Sequence, residues 1–129
     1  MKKIILIALT AVTLLSACTS ETGAISNVGV EEFRKQISSV SGVIIDVRTP
    51  EEFNAGHVEN AININVESSD FQSKISELDK NLTYFVYCKS GRRSTLATDQ
   101  MADSGFTSLL NLKGGFSDLA NSGISVSKN

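Results

Sequence analysis

The sequence contains few cysteines, since Cys18 and Cys88 are the only two among its 129 residues. They do not read as a disulfide pair, because Cys18 ends an N-terminal processing signal and Cys88 lies in a glycine-containing loop. Once the signal is processed, Cys88 is a free thiol outside the cytoplasm, where such thiols are uncommon because they are readily oxidised. The sequence therefore predicts a chemical role for Cys88.

The sequence also lacks a strong excess of charge of either sign. Its net charge is −2; Lys2 and Lys3, two of its 12 basic residues, lie in the first 17 residues, which leaves 10 basic against 14 acidic side chains and a net charge of −4. A mildly acidic chain lacks the basic face that displaces counterions from nucleic acid, so we expect no nucleic-acid partner. An anionic ligand must instead be held by local charges.

The N-terminal apolar run is too short to cross a membrane as a helix. Residues 4–15 would rise about 18 Å as a helix, against about 30 Å for the hydrocarbon core of a bilayer. The run follows Lys2 and Lys3, and a basic start with an apolar middle is typical of a secretory signal peptide. It ends at Leu15-Ser16-Ala17-Cys18, which resembles the lipobox of bacterial lipoproteins.

The lipobox resemblance implies three segments. Residues 1–17 are a signal peptide of the lipoprotein type, 18–27 are the lipidated Cys18 and a polar tether, and 28–129 are one folded domain. The protein is then extracytoplasmic, in the cell envelope, and it contacts the membrane through a lipid anchor. In a bacterium with two membranes, the absence of aspartate after Cys18 favours the periplasmic side of the outer membrane. A plain signal peptide, or an uncleaved anchor, is the alternative.

Beyond residue 28 the chain alternates between strand and helix patterns. The continuous apolar runs 43–45 and 84–87 are typical of strands buried on both faces. Thr49, Pro50 and Glu52 indicate a helix start, in which Thr49 caps, Pro50 takes the first position and Glu52 completes a capping box. Further strands are predicted over 61–66 and 108–112, helices over 30–37, 69–78, 93–104 and 116–120, and a turn at Gly114-Gly115. This alternation predicts an α/β sandwich with a mainly parallel sheet.

Cys88 directly follows the second apolar run, at the edge of the sheet where ligands of parallel sheets bind. Gly91 permits a positive φ, so that successive backbone N–H groups can turn inward and form an anion nest. The N-terminus of the following helix and the cations of Lys89, Arg92 and Arg93 also favour a thiolate. We expect these effects to lower the pKa of Cys88 and to hold an anionic ligand.

Six segments of the chain resemble the successive signatures of the rhodanese family, and they occur in the family's order. They are Asp46-Val47-Arg48, Glu51-Glu52-Phe53, Gly56-His57-Val58, Ala61-Ile62-Asn63, Tyr87-Cys88-Lys89-Ser90-Gly91-Arg92-Arg93-Ser94 and Gly114-Gly115. The resemblance implies a rhodanese-like three-layer sandwich, in which helices flank a mainly parallel five-stranded sheet. It also implies a persulfide on Cys88, cradled by the backbone amides from Lys89 to Arg93. Glu59-Asn60, Asn65 and Phe116 depart from the family pattern and leave the shape of the site entrance open.

Four further residues are expected to support the cysteine loop. Asp46 and Arg48 follow the first core strand and should lie beside the loop, where Asp46 can pair with a loop arginine and fix its orientation. Ser94 follows the two loop arginines directly. His57 is the only histidine, but a preformed thiolate needs no general base, and the resemblance implies a structural role for His57 at a turn.

The resemblance implies an enzyme of the thiosulfate sulfurtransferase type. Such an enzyme moves a sulfane sulfur from a small anionic donor, such as thiosulfate, to cyanide or a thiol. We expect a monomer that needs neither a cofactor nor a metal ion. A non-catalytic binding or regulatory module of the same fold is one alternative, and a redox role of the thiol is another. A phosphatase or arsenate reductase is disfavoured, because those loops carry arginine six positions after the cysteine, where this chain has Ser94.

Overall fold

The computed structural model describes residues 23–129, and the predicted signal peptide and Cys18 lie outside that range. In chain order the elements are β1 (Ile25–Val28), α1 (Val30–Ser39), β2 (Val43–Asp46), α2 (Pro50–Ala55), β3 (His57–Val58), β4 (Ile62–Asn63), α3 (Phe71–Ser76), β5 (Thr83–Tyr87), α4 (Arg92–Asp103), β6 (Ser108–Leu112), α5 (Phe116–Asn121) and β7 (Val126–Ser127). In this part of the chain, no helix combines the length and the apolar character needed to cross a membrane.

The main sheet has five strands in the order β1-β6-β5-β2-β4, and all its neighbouring strands are parallel. In its centre Val86 of β5 lies between Ile45 of β2 and Asn111 of β6. Parallel pairing places the carboxyl ends of these strands at one edge of the sheet. Cys88, the residue after β5, therefore lies on the same edge as the segment that follows β2.

Alternate residues around β5 face two different layers of helices. Val86 and Cys88 belong to a buried cluster that includes residues of α3 and α4. Phe85 and Tyr87 belong to a second cluster that includes residues of α1 and α5. Because side chains alternate across a strand, these two clusters lie on opposite faces of the sheet. The predicted fold class, a three-layer α/β sandwich with a five-stranded parallel sheet, is confirmed.

The folded domain begins earlier than the sequence predicts. Residues 25–27, which the sequence assigns to the polar tether, lie instead in β1. Ile25 pairs with Leu109 in parallel register, and the following residues continue that pairing along β6. Only the two ends of this strand are apolar, so no local hydrophobic pattern indicates it. The boundary at residue 28 is therefore wrong for the residues of β1.

Two other predicted elements are shorter in the structure. The strand predicted over 61–66 is confined to β4. After β4, the N–H groups of Ile64 and Val66 each donate a single hydrogen bond, to the carbonyl oxygens of Asp46 and Val47, and no continuous ladder forms. The helix predicted over 69–78 is confined to α3. The short strands β3 and β7 form a separate antiparallel pair that brings the end of the chain next to His57.

Candidate active site

Cys88 is fully buried at the carboxyl end of β5, and the loop after it folds back over its sulfur. Gly91 ends this loop with a φ of 95°, in the left-handed region that the sequence predicts for it. In this conformation the N–H of Gly91 donates a hydrogen bond to Cys88 Sγ at 3.0 Å. Helix α4 begins directly afterwards, with its N-terminus beside the loop.

The cysteine loop is held from outside by the start of α5. A Cβ atom on Gly115 would overlap the carbonyl oxygen of Lys89 and would lie 3.1 Å from the nitrogen of Ser90. The next amide, that of Phe116, donates a hydrogen bond to the carbonyl oxygen of Cys88 at 2.9 Å. The double glycine that the sequence assigns to a turn therefore also lets α5 approach the backbone of the loop.

Hydrogen bonds to the sulfur control the acidity of Cys88. Burial of the thiol is the largest single influence and raises its pKa, because a poorly solvated site disfavours the thiolate. The hydroxyl of Ser94 and the backbone N–H groups of Ser94, Ser90 and Gly91 together outweigh burial, so that the pKa of Cys88 is lowered from its ordinary value. The thiolate is thus favoured by hydrogen bonding within the loop.

The loop cations stabilise the thiolate of Cys88 less than the sequence suggests. Lys89 and Arg92 are exposed, so water screens their charges. Arg93 donates to both carboxylate oxygens of Glu52, from Nη1 at 3.0 Å and from Nη2 at 2.9 Å. This hydrogen-bonded pairing raises the pKa of Arg93, and the negative charge of a Cys88 thiolate raises it further. Because Glu52 already neutralises Arg93, the hydroxyl of Ser94 and the backbone amides of the loop are the main stabilisation of the thiolate.

The ion pair between Glu52 and Arg93 was not predictable from local sequence patterns. Half of the predicted capping box is confirmed, since Thr49 Oγ1 accepts a hydrogen bond from the N–H of Glu52 at 3.3 Å. The other half is wrong, because the carboxylate of Glu52 turns away from Thr49 and binds Arg93 on α4. It thereby ties α2 to the beginning of α4, beside the cysteine loop.

Asp46 and Arg48 lie at the same edge of the sheet, but Asp46 does not pair with a loop arginine. Its carboxylate accepts hydrogen bonds from Nε and Nη2 of Arg48, the latter at 2.6 Å, and from the hydroxyl of Tyr87 at 2.6 Å. The prediction for the partner of Asp46 is therefore wrong. The reason is that a cation only two residues away can form a bidentate pair without leaving the end of the strand.

Arg48 extends this buried network toward the site entrance. Its Nη2 also donates to the carbonyl oxygen of Gly56 at 2.6 Å. The ring of Phe116 lies over its guanidinium group, with 4.2 Å between Cζ and the ring centroid. Since the amide of Phe116 binds Cys88, Arg48 supports the loop through the residue that anchors its backbone.

His57 is placed for packing. Its ring stacks on Phe53 with 3.7 Å between the ring centroids, and its Nδ1 lies 2.8 Å from the carbonyl oxygen of Phe53. It is buried in β3, where its backbone pairs with Ser127. These contacts fit the structural role expected from the resemblance.

Two cavities flank the cysteine loop. One of about 230 Å³ is lined by Arg48, Lys89 and Phe116, among others. The other, of about 610 Å³, is lined by Ser90 and Arg92, among others. Both include residues of the loop itself, so a small molecule has room beside the loop. Among residues 23–129, no group of His, Cys, Asp and Glu side chains is arranged to bind a metal ion.

Comparison with known proteins matches residues 29–122 to the model of the rhodanese-like domain. Thiosulfate sulfurtransferase PspE of Escherichia coli is 40% identical over 76 residues, which cover 59% of this chain and 72% of PspE. The chloroplastic thiosulfate sulfurtransferase 16 of Arabidopsis thaliana is 36% identical over 90 residues, which cover 62% of this chain and 75% of that protein. The solution structure of a rhodanese-like domain from Anabaena superposes with a TM-score of 0.72 at 22% identity, covering 80% of this chain and 79% of that one.

Proposed function

Because the chain belongs to the rhodanese-like family, we propose that it is a sulfurtransferase in which Cys88 carries a sulfane sulfur as a persulfide. The similarity to two proteins named as thiosulfate sulfurtransferases supports this reaction class. The observation that carries the proposal is the hydrogen bonding of Cys88 Sγ, which lowers the pKa of a buried thiol. A buried cysteine without a chemical role would instead have its pKa raised by its surroundings.

The proposed reaction has two displacement steps at sulfur. In the first, the thiolate of Cys88 attacks the outer sulfur of thiosulfate. A new S–S bond forms to Cys88, the S–S bond of thiosulfate breaks, and its electron pair leaves with sulfite. In the second, cyanide or a thiolate attacks the outer sulfur of the persulfide. Thiocyanate or an acceptor persulfide forms, and the electron pair of the breaking bond returns Cys88 to the thiolate. No external oxidant or reductant is required.

The same loop suits both the donor and the persulfide. The N–H groups that bind the sulfur of Cys88 would also stabilise negative charge on an added outer sulfur. Because Cys88 is fully buried, we infer that a side chain at the mouth of the loop moves when a donor enters. The candidates are the exposed loop residues Lys89, Ser90 and Arg92, each of which lines one of the two flanking cavities.

The position of Ser94 argues against a phosphatase or arsenate reductase. The loops of those enzymes carry an arginine six positions after the cysteine, and this chain has Ser94 at that point of the helix start. Ser94 is buried there, and its hydroxyl lies 3.1 Å from the carbonyl oxygen of Gly91 and 3.5 Å from Cys88 Sγ. Arg93 cannot replace the missing cation without giving up its bidentate bond to Glu52.

The proposed reaction is tested by mass spectrometry of the chain carrying Cys18→Ala, in which Cys88 is the only cysteine. Incubation with thiosulfate should add the mass of one sulfur atom to the peptide that contains Cys88, because that thiolate is the acceptor of the first step. Cyanide should then remove the added mass and release thiocyanate. The matched variant Cys88→Ser should gain nothing. A persistent absence of the adduct, with Cys88 still reactive toward alkylating reagents, would refute the sulfur-transfer proposal.

We also propose that Cys18 is lipidated and anchors the protein to the extracytoplasmic side of a membrane. Strands β1 and β5 are both parallel to β6, so the start of β1 and Cys88 lie at opposite edges of the sheet. The cysteine loop therefore lies at the edge of the sheet opposite to the one at which the proposed anchor joins the domain. This arrangement suits a soluble donor and a soluble acceptor.

Substitution Cys18→Ala should move the protein from the membrane fraction to the soluble fraction of the cell envelope, because the lipid anchor is lost. Turnover of thiosulfate and cyanide per molecule should stay within about twofold of the wild type, because Cys18 precedes β1, whose start lies at the opposite edge of the sheet from the loop. Cell fractionation together with labelling by a radioactive fatty acid measures the first effect. A wild-type chain that takes up no fatty acid, or is soluble without the substitution, would contradict the lipoprotein assignment.

A further inference from the structure

A chain of side-chain hydrogen bonds runs from the edge strand β1 to the cysteine loop. Asn111 on β6 is almost fully buried, and its Nδ2 donates to Asn27 Oδ1 at 2.9 Å and to Thr95 Oγ1 at 3.0 Å. Thr95 Oγ1 in turn donates to the carbonyl oxygen of Gly91 at 2.8 Å. Both hydrogens of the Asn111 amide are thus used, while its buried Oδ1 has no partner among residues 23–129.

This arrangement decides the direction of the Thr95 hydrogen bond. Because the amide of Asn111 donates to Thr95 Oγ1, the hydroxyl proton of Thr95 must point elsewhere. Thr95 is exposed on α4, and among the described protein groups the acceptor it reaches is the carbonyl oxygen of Gly91 at 2.8 Å. In this orientation both donors of the Asn111 amide are satisfied, by Asn27 Oδ1 and Thr95 Oγ1.

The Ser94 hydroxyl has one proton and two neighbours that can accept it. When Cys88 is a thiol, its S–H donates to Ser94 Oγ at 3.5 Å, and Ser94 donates to the carbonyl oxygen of Gly91 at 3.1 Å. A thiolate has no proton to donate and can only accept. Ionisation of Cys88 therefore requires the proton of Ser94 to turn from Gly91 to the sulfur if Ser94 is to stabilise the anion.

We propose that Thr95, held by Asn111, is a positioning residue that keeps the Gly91 carbonyl bonded when Ser94 turns its proton to the Cys88 thiolate. The carbonyl then retains the hydroxyl of Thr95 and the N–H of Thr95, which lies at 3.2 Å. Without the Thr95 hydroxyl, the carbonyl would compete with the thiolate for the only Ser94 hydroxyl proton. The inference rests on the proposed function in one respect, since both require Cys88 to ionise.

Charged groups surround the loop from several elements, but they are not altered by a change at Thr95. On the loop and α4 these are Lys89, Arg92 and Arg93; on α2, Glu52; after β4, Glu67; and at the end of β2, Asp46 and Arg48. Thr95 and Asn111 are uncharged, and no side chain in the ion pairs formed among these groups within residues 23–129 is changed when Thr95 is substituted. A shift in the acidity of Cys88 after substitution of Thr95 would therefore report the hydrogen-bond chain.

The test measures the rate of Cys88 alkylation by iodoacetamide against pH, in the full chain carrying Cys18→Ala. Thr95→Val keeps the shape of the side chain but removes the hydroxyl. The pH at which the alkylation rate is half-maximal should therefore rise by about 0.5–1 pH unit, as expected for the loss of one hydrogen bond. We call this pH the midpoint. Thr95→Ser restores a hydroxyl and should return the midpoint to the wild-type value. Thr107→Val is the matched control, because its hydroxyl binds Lys80 far from the loop.

A double substitution shows whether Thr95 acts through Ser94. Ser94→Ala alone should raise the midpoint. Adding Thr95→Val to it should raise the midpoint no further, because the Ser94 proton for which the Gly91 carbonyl and the thiolate compete is already absent. An equal shift from Thr95→Val in both backgrounds, or a midpoint unchanged by Thr95→Val, would overturn the proposal. Alkylation needs no sulfur donor. A protein that fails to transfer sulfur would therefore still give this result, and failure of the Thr95 proposal can be told apart from failure of the proposed function.

Discussion

Replacement of Gly115 by alanine is expected to lower turnover of thiosulfate and cyanide by about 100-fold, the loss typical of displacing a reacting group by ~1 Å. The new Cβ would overlap the carbonyl oxygen of Lys89 and would lie 2.5 Å from its carbonyl carbon. Both are backbone atoms of the cysteine loop, so no side-chain rotation can relieve the contact. The loop must move relative to α5, which disturbs the amides that bind Cys88 Sγ.

Gly29→Ala is the matched control for this substitution. Gly29 precedes α1 with a φ of −78°, and a Cβ there would have nothing within 4 Å. It should leave turnover unchanged. Gly115 also has an extended backbone, with a φ of −132°, so the expected defect comes from lack of space and not from a forbidden dihedral angle. Turnover of Gly115→Ala within twofold of the control would mean that the loop tolerates displacement. Urea unfolding of both variants separates displacement of the loop from global unfolding.

The cysteine loop was predictable because its chemistry is local. Cys88, Gly91 and Ser94 lie within seven consecutive residues after an apolar run that ends a core strand. A strand end, a glycine and a following helix start are sufficient to indicate an anion nest. Of the amides expected from Lys89 to Arg93, that of Gly91 donates to the sulfur at 3.0 Å, and hydrogen bonds from Ser94, Ser90 and Gly91 lower the pKa of Cys88 against the effect of burial.

The supports of the loop were not predictable, because they join distant parts of the chain. Glu52 and Arg93 are 41 residues apart, and the local pattern around Glu52 indicates a capping box instead. Gly115 shows its purpose only when the position of Lys89 is known. Asn111 lies in a strand whose apolar pattern gives no indication that its amide reaches Thr95 on the neighbouring helix. Long-range side-chain contacts of this kind leave no periodic pattern in the sequence.

The contrast between local patterns and contacts of distant residues also explains which strands of the fold were predictable. The central strands β2 and β5 were predicted from continuous apolar runs, since each is buried on both faces. Strand β1 has the sequence Ile-Ser-Asn-Val and was missed, because its pairing partner β6 lies more than 80 residues later. Its polar Asn27 is accommodated by a hydrogen bond from Asn111, which no inspection of a short window could reveal.

Substitution Asp46→Ala is expected to lower the free energy of unfolding by about 3–5 kcal/mol, as measured for breaking a buried ion pair. Asp46 is fully buried, and its carboxylate accepts hydrogen bonds from Arg48 and from the hydroxyl of Tyr87. Its removal leaves the guanidinium of Arg48 buried with the carbonyl of Gly56 as its remaining acceptor in this network. Urea unfolding should show a lower midpoint with an unchanged slope.

Two further variants test the cause of this loss. Asp70→Ala removes an exposed carboxylate that pairs with Lys74 at 3.0 Å and accepts a hydrogen bond from Ser68, and it should lower the unfolding midpoint much less than Asp46→Ala, because water screens exposed pairs. Adding Arg48→Met to Asp46→Ala removes the unpaired cation and keeps an apolar contact for Phe116. If the unpaired charge causes the instability, the double variant should be at least as stable as Asp46→Ala. A further loss in the double variant would mean that the bond from Arg48 to Gly56 is worth more than the cost of burying the lone cation.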